Sequence, residues 1–359
     1  MAINPISPEQ TFPQADRSAS VEMGRRDYLS TVWRLTRMEL YKLYRRRYSQ
    51  IVLATLLGLV ASGVVVIGFF DMSQANAPAS NFAPPRCVSL HNGQQYCSNQ
   101  TFSQAQLERA KTAAMQENAQ SLGLPGSLTA IVTVLSINLI TTLGILLLGP
   151  LVGTEYGMGT IRLLFTRGPT RLQCMLAKVV AALIYTMVAL LLVMAAYIVL
   201  GMIFYPMTGE PYSYTFSFFS QADFRIMLSN ALLLGLIDIV YWFTYGVMAL
   251  FFGSIGRSTA AAIGGTFAWY TLEILLIYLL EFLQGVIPTG ALYTFFKGVP
   301  DYLLFNNLNS LVQNRLHFLN NGNPLSSISD LHACIVVAVY LVVLVGASCL
   351  ITMRRDVTS

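Results

Sequence analysis

Residues 51–70 read IVLATLLGLVASGVVVIGFF. Twenty residues pass without one charge. Wound as an α-helix at about 1.5 Å per residue, they are about 30 Å long, the thickness of a bilayer's hydrocarbon core. The run does not alternate apolar and polar positions, and it is about twice the ~10-residue length of a barrel strand. Residues 51–70 are therefore read as a transmembrane helix. Similar runs recur at about 127–152, 179–204, 226–252, 260–283 and 332–353. The composition agrees: 55% of the 359 residues are hydrophobic and only 11% are charged, against about 25% charged in soluble domains. The fold class expected is an all-α integral membrane protein, a bundle of six transmembrane helices.

Residues 1–26 are polar and rich in Pro, Ser and Gln, and are read as a disordered tail. They lack the apolar core and small-residue cleavage site of a signal peptide. Residues 27–47, DYLSTVWRLTRMELYKLYRRR, mix apolar and basic positions at helical spacing. Leu29, Val32, Trp33, Leu35, Leu40, Leu43 and Tyr44 are expected to form an apolar stripe, with Arg34, Arg37, Lys42 and Arg45–Arg47 on the other face. Such a helix suits a membrane surface, either as a plain anchor or as an elbow that also touches a partner. The rest, residues 27–359, is read as one transmembrane domain.

Six spans place both ends on one side. With that side cytoplasmic, cytoplasmic segments hold 16 Lys and Arg residues and outer segments hold six, as the positive-inside rule requires. The net charge of +5 then needs no nucleic-acid partner; membrane lipids suffice. The outer segments are 71–126 and 284–331, and the second has room for short re-entrant or interfacial helices. Cys87 and Cys97 share the first outer segment. A disulfide fits an oxidising exterior; two unpaired thiols are the alternative.

Catalytic signatures are missing. No phosphate loop of the form GxxxxGK[ST] occurs, nor a GxSxG elbow or HExxH helix. His91, His317 and His332 are scattered without a second ligand at metal spacing, so the chain is read as neither an enzyme nor a metal protein. Asp238 and Glu273 lie within apolar spans. A charge at bilayer depth costs at least about 2.5–3.5 kcal/mol, so each should face protein or a cavity. Each is either a substrate or gating contact, or a protonated or paired packing group.

The most distinctive stretch is Gly149–Lys178, GPLVGTEYGMGTIRLLFTRGPTRLQCMLAK. It follows the second span, places Glu155, Arg162 and Arg167 on what should be an exposed face, and breaks at Arg167-Gly168-Pro169. Glu155, Gly159, Thr160, Arg162, Leu164, Thr166, Arg167, Gly168, Pro169, Arg171 and Lys178 together resemble the corresponding segment of permease subunits of type-2 ATP-binding-cassette exporters. The basic N-terminal helix and the Arg354-Arg355-Asp356 ending are similar to that family too. The resemblance implies a dimer, with itself or a paralogous permease. It also implies a separate cytoplasmic ATPase subunit that carries ATP and Mg, so that this chain binds no cofactor directly. By the same resemblance Glu155, Gly159, Thr160, Arg162, Arg167, Gly168, Pro169, Arg171, Arg37 and Glu39 would form the ATPase-coupling interface. The substrate would be hydrophobic or amphipathic: a lipid, peptide, drug or glycan precursor. The competing expectation is an accessory subunit of a larger membrane complex that keeps the fold without transport. A carrier coupled to protons or ions through Asp238 and Glu273 is a third.

Overall fold

A computed structural model of the chain describes residues 25–82, 87–89, 95–97, 102–123, 138–157, 170–208, 224–287, 289–319 and 326–354. Helix α1 (Arg25–Arg45) leads into α2 (Arg47–Ala75). A small antiparallel hairpin follows, β1 (Cys87–Ser89) and β2 (Gln95–Cys97), and then α3 (Gln104–Leu122). Next come α4 (Asn138–Leu148), α5 (Pro150–Gly157), α6 (Arg171–Phe204), α7 (Phe224–Gly256) and α8 (Thr259–Val286). The chain continues through α9 (Ala291–Gly298) and α10 (Leu304–Leu319) to α11 (Asp330–Arg354).

Five of these helices are long and apolar enough to cross a membrane: α2, α6, α7, α8 and α11. The chain is thus a multi-pass helical membrane protein in character. The expected second span, 127–152, is described only from residue 138. It is helical to Leu148, pauses at Gly149, and restarts at Pro150 as α5. Proline fits this place because its missing N–H falls in the first turn, where no intrahelical acceptor is needed.

Helix α7 is the centre of the bundle and packs against α4, α6, α8, α10 and α11. It is accordingly the most buried span. The main core joins Leu56, Val60 and Val64 of α2, Val193 and Tyr197 of α6, and Tyr241, Trp242 and Tyr245 of α7. The remaining spans keep one apolar face outward, including Leu191 and Val199 on α6 and Leu272, Leu279 and Phe282 on α8. An outward apolar face is the normal state of a helix solvated by lipid tails.

The elbow at the start differs from its expected form. The helix expected over 27–47 ends at Arg45, and Arg46 is extended (φ −74°, ψ 121°) before α2 begins. The basic triplet is therefore a hinge between two helices rather than one face of the first. The apolar stripe also divides. Leu35 and Leu43 are buried together with Thr36 and Glu39, whereas Leu29, Trp33 and Tyr44 are exposed. Positions 32, 35, 36, 39 and 43 follow the i, i+3, i+4 rule for one helix face; the exposed aromatics lie to the side, among the arginines. The Arg45 guanidinium sits 5.4 Å over the Tyr41 ring.

The expected interfacial helices of the second outer segment are α9 and α10. Helix α10 is amphipathic and lies on α7 and α11. Its polar side is tied down by Asn314 Nδ2, which donates to Asp330 Oδ1 (2.9 Å) and Ile328 O (3.1 Å), and by the Arg315–Asp330 ion pair. The β1–β2 register sets Cys87 directly opposite Cys97.

Candidate functional site

Four charges meet where α1, α5 and α6 converge. Glu39 and Lys42 sit one turn apart on α1. Glu155 comes from α5, and Lys178 from the third turn of α6. Lys42 Nζ lies 3.0 Å from Glu39 Oε1 and 2.9 Å from Glu155 Oε1. Lys178 Nζ lies 2.8 Å from Glu155 Oε2 and 3.3 Å from Glu39 Oε1. Each cation touches both anions, so the cluster is a closed, neutral quartet. Lys178 Nζ also donates to Leu151 O at 3.3 Å.

Burial makes this arrangement consequential. Glu155 is 3% exposed, Lys178 4% and Glu39 6%; only Lys42 reaches water. Unpaired charges at such positions carry a penalty of several kcal/mol each. Burial alone would raise the Glu155 carboxyl, but Lys178 and then Lys42 outweigh it and hold the group down at about 2. Burial likewise works to lower the Lys42 ammonium, and Glu39 and Glu155 together hold it above 10.5. Glu155 and Lys42 are therefore charged at neutral pH.

Local sequence explains how each element arrives. Thr170 opens α6 with a capping box: its hydroxyl accepts from Gln173 N, and the Gln173 side chain accepts from Thr170 N. This fixes the entry of α6 and so the height of Lys178. Thr36 Oγ1 reaches Ala177 O at 3.4 Å, seating α1 on α6 beside the quartet. On α5, a Cβ at Gly153 would collide with the backbone of Ser258 and Thr259. Glycine is what lets α5 lie against the start of α8.

The surrounding contacts gather the basic segments at one end of the bundle. Arg46 Nη1 donates to Pro150 O (3.1 Å), and Arg171 Nη1 donates to Met353 O (3.0 Å) in the last turn of α11. The α7–α8 turn, with Arg257 in the left-handed region (φ 52°), lies there as well.

The expected coupling residues fare differently. Glu39 and Glu155 meet, but inside the protein rather than on an exposed face; the pull of the buried Lys178 and the half-exposed Lys42 explains the difference. Arg37 is exposed on α1. Arg171 ties α6 to α11. Gly159, Thr160, Arg162, Arg167, Gly168 and Pro169 lie outside the described residues. Lys42 was expected on the outward face; it reaches water there and is also a full member of the cluster. A signal for the cluster does exist in the sequence: Glu39 occupies the Val32–Leu35–Thr36–Leu43 face, and Lys178 lies within an apolar run. Both positions demand a partner.

The two intramembrane acids are not brought together with this cluster. Glu273 on α8 is buried and accepts a hydrogen bond from the backbone N–H of Leu304, the first residue of α10. It acts as a cap between two elements. Asp238 on α7 is 3% exposed, one turn before Tyr241. The rings of Tyr241, Tyr245, Tyr270 and Phe305 form a continuous chain with centroids 5.4–5.6 Å apart. Among the described residues, no group of three or more His, Cys, Asp or Glu side chains is placed to hold a metal.

Comparison with curated proteins gives no match. A family model described as "Protein of unknown function (DUF2705)" matches residues 101–358. That region carries Glu155 and Lys178, while Glu39 and Lys42 precede it. The match covers well over half of the chain, which therefore belongs to the DUF2705 family.

Proposed function

We propose that this chain is the membrane-spanning permease subunit of an ATP-driven exporter of the type-2 ATP-binding-cassette kind. It works with a separate cytoplasmic ATPase, sits in the cell membrane with both termini cytoplasmic, and pairs with a second permease. Its cargo is hydrophobic or amphipathic. The observation that supports this reading is the quartet. It joins the elbow helix α1 to α5 and α6, the two helices flanking residues 158–169. These are the parts that the family resemblance assigns to ATPase contact. A partner pushing on Arg37 or on the 158–169 segment would thus act on a single unit.

In this mechanism the buried Glu39 and Glu155 do not touch the ATPase. They position α1 and α5 so that displacement of either is passed to α6, whose far end packs in the core. Transport then follows from rigid-body movement of packed helices, with ATP binding favouring one of two arrangements.

The test is affinity purification of the tagged chain from its native membrane in mild detergent, followed by mass spectrometry and an ATPase assay. A soluble ATPase at stoichiometric yield is the expected result, with Arg37→Glu reducing its recovery. Recovery of other integral membrane subunits, with no ATPase, would refute the exporter reading in favour of an accessory subunit.

A further inference from the structure

A cleft of about 400 Å³ opens at the elbow between α1 and α2. Its volume lies within the ~300–1,000 Å³ usual for ligand pockets. Arg46, Arg47, Leu147, Thr154, Thr259 and Ile263 are among the residues that line it. Among the described residues no Asp or Glu lines it; Glu155, next in sequence to Thr154, is turned into the quartet. We propose that this cleft binds the phosphate headgroup of an anionic phospholipid. The inference rests on the multi-pass character of the chain and not on the exporter reading.

Three independent features converge on that ligand. The first is charge. Two guanidinium groups border the cleft, and Arg46 is held in place by its bond to Pro150 O. A guanidinium has five N–H donors, so this bond orients the group and leaves others for phosphate oxygens. The second is backbone. Helix α2 starts at Arg47 without a side-chain cap and without an acid in its first turn. The partial positive charge of a helix N-terminus favours an anion there.

The third feature is amphiphilic shape. Leu147 and Ile263 give the cleft an apolar wall, and Ile51, where the first apolar run begins, is one turn further along α2 and exposed. A free phosphate leaves that wall uncovered. A phospholipid covers it with its glycerol and first acyl carbons while the headgroup meets the arginines. Basic pockets between helices at a membrane boundary are suited to such headgroups. The cleft exists because Gly149 and Gly153 bring the α4–α5 break against Ile263 and Thr259 of α8.

The experiment is native mass spectrometry of the purified full chain taken from bilayers of equal phosphatidylglycerol and phosphatidylcholine. One phosphatidylglycerol per chain should be retained, at least tenfold over phosphatidylcholine. Arg47→Gln, and separately Thr154→Leu, which fills the cleft without removing charge, should each lower retention about tenfold. Arg34→Gln, on the exposed side of α1, should leave it unchanged. Equal retention of both lipids, or no loss in Arg47→Gln and Thr154→Leu, overturns the proposal. So does an equal loss in Arg34→Gln, which would mean diffuse attraction. Displacement of the lipid by millimolar inorganic phosphate would mean a free-anion site and overturns the lipid assignment.

Discussion

Replacing Glu155 with Gln removes one anion from a neutral, buried quartet and leaves Lys178 with Glu39 alone, at 3.3 Å. The cost can be worked from the carboxyl's own displacement. Held down at about 2 against an ordinary 4.5, it reports on the order of 3 kcal/mol, at roughly 1.4 kcal/mol per pKa unit. Breaking a buried ion pair typically costs about 3–5 kcal/mol, so the two figures agree. At roughly 2 °C per kcal/mol for a chain of this size, the thermal midpoint in detergent should fall by about 6 °C. The assay is fluorescence-monitored unfolding of Glu155→Gln, Lys178→Gln and the double variant. Because both residues belong to one network, the double variant should recover at least about 1.5 kcal/mol relative to additivity. A midpoint within 1 °C (roughly 0.5 kcal/mol) of the unaltered protein, or strict additivity, would refute the reasoning.

The same carboxylate sets a pH dependence. Its folded value lies below its unfolded one, so its contribution is complete above about 4.5 and is lost as pH falls toward about 2. The stability gap between the unaltered chain and Glu155→Gln should shrink from about 3 kcal/mol at pH 7 to about 1 kcal/mol at pH 3; a gap constant across that range contradicts the assignment. Glu273→Ala strands the Leu304 N–H and should cost about 1–3 kcal/mol. Amide exchange should quicken at the start of α10 but not around the quartet, and uniform or absent change would show that Glu273 is not the cap. Directly opposed strand residues have Cα atoms about 4.5–5.5 Å apart, within disulfide range. Cys87 and Cys97 should therefore resist alkylation until reduced, and ready labelling of both in oxidised protein would argue for free thiols.

The spanning helices were legible in the sequence because lipid imposes a length and a composition on them. Nothing else explains twenty uncharged residues at 51–70, and the observed α2 extends that run by only a few residues at each end. The short helices α9 and α10 were legible in kind, because Pro288, Pro300 and Pro324 limit what residues 284–331 can form. The quartet was half legible. Glu39 and Lys42 are neighbours on one helix turn, and Lys178 visibly enters an apolar run. Their partner Glu155 is 113 positions from Lys42, and only tertiary packing brings it near. Alternation of polar and apolar residues misassigned Glu155 to the outside because it treats every charge as solvent-seeking. A charge matched by a buried opposite breaks that rule. The elbow was misplaced for a related reason: three consecutive arginines suggest a helix face, whereas the extended backbone of Arg46 makes them a corner.

The quartet also constrains how the protein is made. Glu39 and Lys42 leave the ribosome long before Lys178, which follows Glu39 by 139 residues. Until α6 is synthesised and inserted, α1 has no partner for its glutamate beyond its own Lys42, and α5 holds an acid with no ammonium from α6. Helix α1 therefore cannot complete its buried charge contacts until α6 is in place. The α6 lysine thus supplies the last charge of the quartet to be made.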